Sequence, residues 1–320
     1  MKNTPVKLYV VLPCYNEEAV IEETTSRLLS LFEEMCNNRL ISTDSKIAFV
    51  DDGSTDRTWQ IITLLSKKHN CITAVKLAHN AGHQNALLAG IFTFFKNCDC
   101  LITVDADLQD DIGAIPKMVR EYINGNDIVY GVRDDRQNDS FFKRNTALSF
   151  YKIMKLLGTE IIYNHADYRL MSRRAAEALS GFNEVNMFLR GVIPLVGFNS
   201  TTVYYKRGTR FAGESKYPLK KMISFALDGI TSFSITPIRL ITLIGTVAFI
   251  ISVIMALYAF IQKLSGNTSS GWASIMISLW FIGGAQLISL GLIGEYIGKI
   301  YKEVKKRPRY IIEEVITDDI

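Results

Sequence analysis

The chain of 320 residues is 48% hydrophobic and 21% charged, with a formal net charge of +4 and a mean hydropathy of +0.13. It is too apolar for an ordinary soluble protein and too charged for an all-membrane one, so a soluble domain joined to a membrane piece is expected. The small basic excess gathers beside the apolar stretches and makes no basic face in the first half, which excludes nucleic acid as a partner.

In chain order, charged and polar residues precede only a short apolar run, Leu8 to Leu12, so the N-terminus does not read as a secretory signal. Strand-length apolar runs then recur at Lys7 to Pro13, Lys46 to Val50, Ile72 to Leu77, Cys100 to Val104 and Ile128 to Tyr130. Helix-length segments lie between them at Glu17 to Met35, Thr55 to Lys68, Gln84 to Phe95 and Ile112 to Tyr122. This alternation predicts an α/β domain with a mostly parallel sheet covered on both faces, in which ligands bind at the carboxyl ends of the strands. The unusual polar clusters follow those ends: "LPCYNEE", "VDDGSTD", "AHNAGHQ" and "VDADLQD". The five cysteines, Cys14, Cys36, Cys71, Cys98 and Cys100, show no Cys-x-x-Cys spacing and read as reduced, mostly buried thiols.

Further on, Tyr217 to Thr231 places Leu219, Met222, Ile223, Ala226, Leu227 and Ile230 at helical spacing between polar residues, as an interfacial amphipathic helix does. Leu240 to Ile261 and Trp272 to Gly294 carry no charge, and each can cross a bilayer, which needs ~20 apolar residues. Lysines and arginines flank the pair on both outer sides, from Lys216 to Arg239 and from Lys299 to Arg309, while Lys263 is the one basic residue of the connection. The positive-inside bias therefore puts both ends in the cytoplasm. Expected divisions are a cytosolic domain at 1–215, an amphipathic juxtamembrane helix at 216–236, a two-helix transmembrane hairpin at 237–299 and a cytosolic tail at 300–320. Gly245, Gly283, Gly284, Gly291, Gly294 and Gly298 permit close helix packing, within one chain or in a homo-oligomer.

The polar clusters have structural readings too. "DDGS" suits a turn with a helix cap, and "NEE" suits the acidic first turn of a helix. Asp105 and Asp107 are different: two carboxylates one residue apart repel and raise each other's pKa unless a cation answers them. Magnesium prefers a few carboxylates plus substrate phosphates, so the pair reads as the holder of a metal that holds a diphosphate. His79 and His83 read as pocket-wall or surface residues.

In that order and spacing, "VVLPCYNEE", "FVDDGSTD" and "VDADLQD" resemble the inverting family 2 glycosyltransferases, which place a nucleotide-diphospho-sugar donor on an A-type, Rossmann-like domain. The stretches "ADYRLMSR", "FLRGVIPLVGF" and "YYKRGTRFAGESKYPLKKM", followed by two spans, resemble the branch that transfers a sugar to polyprenyl phosphate. The Gln-x-x-Arg-Trp motif of processive synthases is absent. The resemblance implies that Pro13, Tyr15, Asn16 and Glu17 line the nucleotide pocket, with Asp52 on base or ribose. It implies that Asp105, Ala106, Asp107 and Gln109, a DXD-type motif, serve the ribose, the diphosphate and a Mg2+ or Mn2+ ion, with Asp105, Asp107 and Gln109 as the metal set. The loop with Asn80 and Gly82 closes on the nucleotide in this reading; a glycine-assisted helix start is the alternative.

A polyprenyl monophosphate is already a competent nucleophile, so cations that steer it matter more than a general base. Lys143, Arg144, Arg169, Arg207, Arg210, Ser215 and Lys216 are the candidate acceptor-phosphate set, and Asp167 in "HADYRLM" is assigned an orienting or base role. The resulting expectation is transfer of a hexose, glucose first, from a UDP-sugar to undecaprenyl phosphate for cell-envelope glycosylation, at the cytoplasmic face of the cell membrane. Rival readings are another sugar such as N-acetylglucosamine, galactose or mannose, a diacylglycerol acceptor, or a non-catalytic nucleotide-sugar-binding membrane subunit that assembles with a flippase partner.

Overall fold

The computed structural model describes residues 4–134, 165–182, 184, 189–206, 236–265 and 271–317. The chain divides into two compact units, the first formed by residues 1–151, 160–218 and 307–320, the second by 152–159 and 219–306.

The first unit is built on one 8-stranded sheet. Strands β1 (Leu8–Cys14), β2 (Lys46–Asp51), β3 (Ile72–Leu77) and β4 (Cys100–Thr103) pair in parallel in the order β4-β1-β2-β3. Their side chains are buried on both faces, β1 and β4 without exception, which is why they read as continuous apolar runs rather than alternating ones. Helices α1 (Ile21–Asn37), α2 (Thr58–Lys68), α3 (His83–Phe94) and α4 (Ile115–Ile123) supply the cover. Helix α3 sits closest. A Cβ added at Gly90 would stand 2.4 Å from Val11 Cγ1 and 2.7 Å from Val50 Cγ2, so no side chain fits where this helix crosses β1 and β2.

Beyond β4 the pairing changes. Strand β5 (Ile128–Arg133) lies two places out, because β6 (His165–Ser172) inserts antiparallel between β4 and β5. Helices α5 (Arg173–Ser180) and α6 (Leu189–Leu195) follow, and β7 (Ser200–Tyr205) completes that edge parallel to β5. The expected strands are all present, but α1 starts at Ile21 instead of Glu17. The carbonyl of Glu17 accepts the amides of Val20 and Ile21 in a turn, so "NEE" belongs to the loop.

Among the described residues the second unit holds two helices, α7 (Thr236–Leu264) and α8 (Trp272–Lys305). Both expose large apolar side chains along their length, among them Ile250, Leu257, Leu287 and Leu290. Among the described residues one segment, Phe281–Lys305, is long and apolar enough to cross a membrane, and Ile241–Met255 is a shorter apolar stretch. The expected amphipathic helix at Tyr217 to Thr231 lies outside the described residues.

Residues 300–320 are not a simple tail. Helix α8 runs to Lys305, the chain turns at Lys306 in the left-handed region, and β8 (Ile312–Ile316) adds antiparallel to β3. The amide of Ala78 donates to the carbonyl of Ile311 at 2.9 Å, and Lys76 pairs with Glu313 at 3.0 Å.

Candidate active site

The loops after β1 and β2 lock onto each other. Asn16 takes a left-handed backbone (φ 57°), which its short polar side chain tolerates. Its Oδ1 accepts the Thr55 amide at 2.9 Å, while its own amide donates to Ser54 Oγ at 3.0 Å. The Glu17 amide donates to Thr58 Oγ1 at 2.9 Å. Pro13 is buried at the end of β1, and Tyr15 stands 46% exposed above the latch. Asp52 is buried with both oxygens engaged: Oδ1 accepts the Ala81 amide at 2.7 Å and Oδ2 the Gly82 amide at 3.0 Å. Its carboxylate therefore braces the loop after β3, the loop that carries Asn80. Gly53 sits beneath it, where a Cβ would collide with the His79 backbone at 2.6 Å. Gly82 (φ 92°) is the residue before α3, so its conformation starts that helix.

The loop after β4 brings the carboxylates. Thr24 Oγ1 donates to the Ala106 carbonyl at 2.8 Å, Asp107 Oδ1 accepts the Gln109 amide at 3.1 Å, and Leu108 is held at φ 57°. A left-handed leucine is unusual and marks a loop conformation imposed by its surroundings. Loss of solvent around Asp105, together with the charges of Asp167, Asp110 and Asp107, pushes its carboxyl up to about 6, against the pull of His83. Asp110 and Asp111 have other hydrogen-bond partners. Asp110 receives Arg133 and Tyr205, and Asp111 caps the short turn at Gly113.

Strand pairing brings Asp167 to the same place. Thr103 on β4 is in register with Arg169 on antiparallel β6, so two residues on from Thr103 and two residues back from Arg169, Asp105 and Asp167 come to the same end of the pair. Thr103 Oγ1 donates to the Asp167 carbonyl at 2.6 Å. The Asp167 carboxylate accepts Arg190 Nε at 3.2 Å and Nη2 at 3.1 Å, and Arg169 Nη2 at 2.5 Å. His83, the first residue of α3, has its Nε2 3.5 Å from Asp105 Oδ1 and 3.6 Å from Asp167 Oδ2. Burial alone would raise the Asp167 pKa, but His83, Arg190 and Arg169 reverse this and hold it well below the usual carboxylate range. Burial disfavours the His83 cation, yet the two facing carboxylates raise its pKa.

These contacts revise two expectations. Arg169, placed by sequence at the acceptor phosphate, is 1% exposed and serves as the buried counter-ion of Asp167. His83, read as a pocket-wall residue, bridges the two acidic groups, and Arg190, quoted within "FLRGVIP" but given no role, completes the cluster. Lys143, Arg144, Arg207, Arg210, Ser215 and Lys216 lie outside the described residues.

Among the described residues no group of three His, Cys, Asp or Glu side chains could hold a metal ion by itself. The donor set still suits a cation that substrate completes: Asp105 and Asp107 are hard oxygen ligands in like-charged company, and the raised Asp105 pKa is what a cation would relieve. A cleft of about 600 Å³ lies at the opposite, amino-terminal ends of β4 and β5. Four of its five charged lining groups pair with each other, Arg174 with Asp127 and Arg173 with Asp99, and Glu177 is the fifth.

A parallel sheet with carboxylates gathered at its strand ends agrees with the comparisons. Residues 9–180 match the model of glycosyl transferase family 2, and residues 236–300 match that of the GtrB C-terminal hairpin. The chain belongs to glycosyl transferase family 2, and its first unit is an A-type glycosyltransferase domain. It is 53% identical over 313 residues to the uncharacterized glycosyltransferase YkoT of Bacillus subtilis (strain 168), covering 98% of this chain and 93% of that one. It is 38% identical over 312 residues to the prophage bactoprenol glucosyl transferase homolog of Escherichia coli (strain K12), covering 97% of this chain and 99% of that one. It is also 38% identical over 311 residues to the bactoprenol glucosyl transferase of Shigella phage SfII, covering 97% and 98%.

Proposed function

We propose that this glycosyltransferase moves one hexose, glucose in our reading, from a UDP-sugar to polyprenyl phosphate at the cytoplasmic face of the cell membrane. The observation that carries the reading is that His83 joins Asp105, on the loop that also bears Asp107, to the Asp167–Arg190 pair at the carboxyl end of β4, in a chain similar over its whole length to bactoprenol glucosyl transferases.

In this reading the loops after β1, β2 and β3 hold the nucleotide, with Pro13, Tyr15, Asn16, Glu17 and Asn80 around it and Asp52 keeping the third loop in place. Asp105, Asp107 and Gln109 hold Mg2+ or Mn2+, which when bound neutralises the departing diphosphate. A lipid phosphate oxygen attacks the anomeric carbon from the face opposite the diphosphate, inverting that centre. Lys143, Arg144, Arg207, Arg210, Ser215 and Lys216 orient the phosphate, and Arg169 acts from beneath, through Asp167. Asp167 then has the orienting role and not the base role. A carboxylate gripped by two arginines is a poor proton acceptor, and a phosphate nucleophile has little need of one. Both apolar helices cross the membrane in this reading, with basic flanks inside.

The test is transfer by the purified full-length chain in lipid vesicles, with UDP-glucose and magnesium or manganese, to undecaprenyl phosphate or to diacylglycerol. Glucose should appear on the polyprenyl phosphate alone. Transfer to diacylglycerol, preference for another nucleotide sugar, or no transfer from any nucleotide sugar would overturn the acceptor, the donor or the catalytic reading in turn.

A further inference from the structure

Asp110 is 3% exposed, and its Oδ1 receives three hydrogen bonds: Tyr205 Oη at 2.7 Å, Arg133 Nη2 at 3.0 Å and Arg133 Nε at 3.2 Å. Arg133 ends β5 and Tyr205 ends β7, and the Asp134 amide donates to the Tyr205 carbonyl at 2.9 Å. The Tyr205 ring stands edge-on to Tyr168 of β6, with centroids 5.2 Å apart, and Tyr168 Oη donates to the Asp111 carbonyl at 3.1 Å. One carboxylate thus ties the loop that bears Asp105 and Asp107 to the ends of two strands, and an aromatic pair ties it to a third.

Stability gives a weak reason for this arrangement. A buried ion pair is often replaceable by apolar side chains at no cost, and its best-attested use is to fix one geometry among several. An edge between β5 and β7 could be closed by apolar residues, as the rest of the sheet is. What apolar residues would not supply is a directional link from the β4 loop to the two points where the chain leaves the sheet, after Arg133 and after Tyr205. In the sequence, the basic residues assigned above to the acceptor phosphate follow those two points.

We propose that Asp110 is a positioning residue for the acceptor: through Arg133 and Tyr205 it fixes the ends of β5 and β7 relative to the donor loop, so that acceptor use depends on it and donor binding does not. This rests on the reading that donor and acceptor meet at this end of the strands. The variants are Tyr205→Phe, which removes one hydroxyl and little else, Asp110→Asn, and the pair combined. For each, donor affinity is measured by calorimetry, thermal stability by the unfolding midpoint, and initial rate against the concentration of whichever acceptor the wild type uses. A hydrogen bond to a charged group corresponds to about a tenfold effect or more, so Tyr205→Phe should raise the apparent KM for acceptor about tenfold. Its donor affinity should stay within about twofold of wild type. The double variant should be no worse than Asp110→Asn alone, since both act through one link. An unchanged acceptor KM in Tyr205→Phe with a lowered midpoint would make the link purely structural, and equal loss of donor affinity would move it to the donor site. Wild-type activity on a lipid other than polyprenyl phosphate would overturn the acceptor named above and leave this comparison intact.

Discussion

Arg190 lays its guanidinium along Asp167, Nε on one carboxylate oxygen at 3.2 Å and Nη2 on the other at 3.1 Å, while Arg169 reaches the first oxygen from the core. The planar fork meets both carboxylate oxygens at hydrogen-bond distance, which a lysine ammonium, a point charge, does not reproduce. Arg190→Lys should therefore lower kcat about tenfold or more with the chain still folded, and Arg190→Ala should do at least as much. Steady-state rates alongside circular dichroism check this. Wild-type turnover in Arg190→Ala would remove the residue from the machinery.

The same cluster sets a pH dependence. The Asp167 pKa in the folded chain lies below its unfolded value of about 3.9, so the stability it contributes is present above that value and is lost as pH falls through the folded pKa. Asp167→Asn leaves Arg169 buried without its full counter-charge, and breaking such a pair costs about 3–5 kcal/mol. The gap in unfolding free energy between wild type and variant should widen as pH falls through the raised His83 pKa, where the imidazolium gains Asp167 as its partner, and narrow below about 4 as Asp167 itself protonates. Urea titrations across both transitions measure it. A gap that closes near pH 6 would contradict the assignment.

How far the sequence revealed all this depends on the distance over which each contact is set. The parallel strands and the carboxylates after β4 are local signals: a buried apolar run followed by Asp105 and Asp107 is legible because burial and polarity change within a few residues. Asp167 was reached by resemblance, but its partners were not. His83 meets Asp105 because α3 begins at Gly82, and Asp167 because β6 pairs antiparallel with β4, and no window of sequence contains that register. Arg169 was misread for the same reason, since an arginine in a strand shows nothing of which face is buried. Strand β8, "IEEVI", has two adjacent glutamates and is exposed from Ile312 to Val315, a pattern that looks like tail until β3 is seen to lack another partner on that side.

Metal dependence follows from the crowding around Asp105. Loss of solvent, and after it the charges of Asp167, Asp110 and Asp107, push its carboxyl up to about 6. A divalent cation bridging Asp105, Asp107 and the donor diphosphate would remove the repulsion between the two carboxylates. Asp107→Asn should reduce turnover about 10²-fold or more, and EDTA should do the same to the wild type, with manganese or magnesium restoring it. Full activity in EDTA would rule the metal out.

Packing gives a prediction independent of chemistry. At Gly90 the added methyl of alanine would lie 2.4 Å from Val11 Cγ1 and 2.7 Å from Val50 Cγ2, and overpacking of this kind costs about 1–3 kcal/mol. Gly90→Ala should lower the unfolding midpoint in spite of alanine's better helix propensity, and Val11→Ala in that background should recover part of the loss. A midpoint unchanged or raised in Gly90→Ala would show that α3 can lift away from the sheet without penalty.

The return of Ile312–Ile316 to the sheet bears on a matter of counting. A polypeptide whose two ends are stitched into one sheet must enter and leave any bilayer on the same side, so its crossings are even in number. In the proposed reading Phe281–Lys305, long and apolar enough to make one crossing, is matched by a crossing of α7, whose own apolar stretch is shorter. Cysteine introduced as Gly271→Cys, in a background without the native thiols, should then react with an impermeant maleimide outside intact cells, and Thr317→Cys should react only after permeabilisation. Labelling of both sites from one side would mean that neither helix crosses, and the hairpin would be a raft lying on the membrane instead of a stake through it.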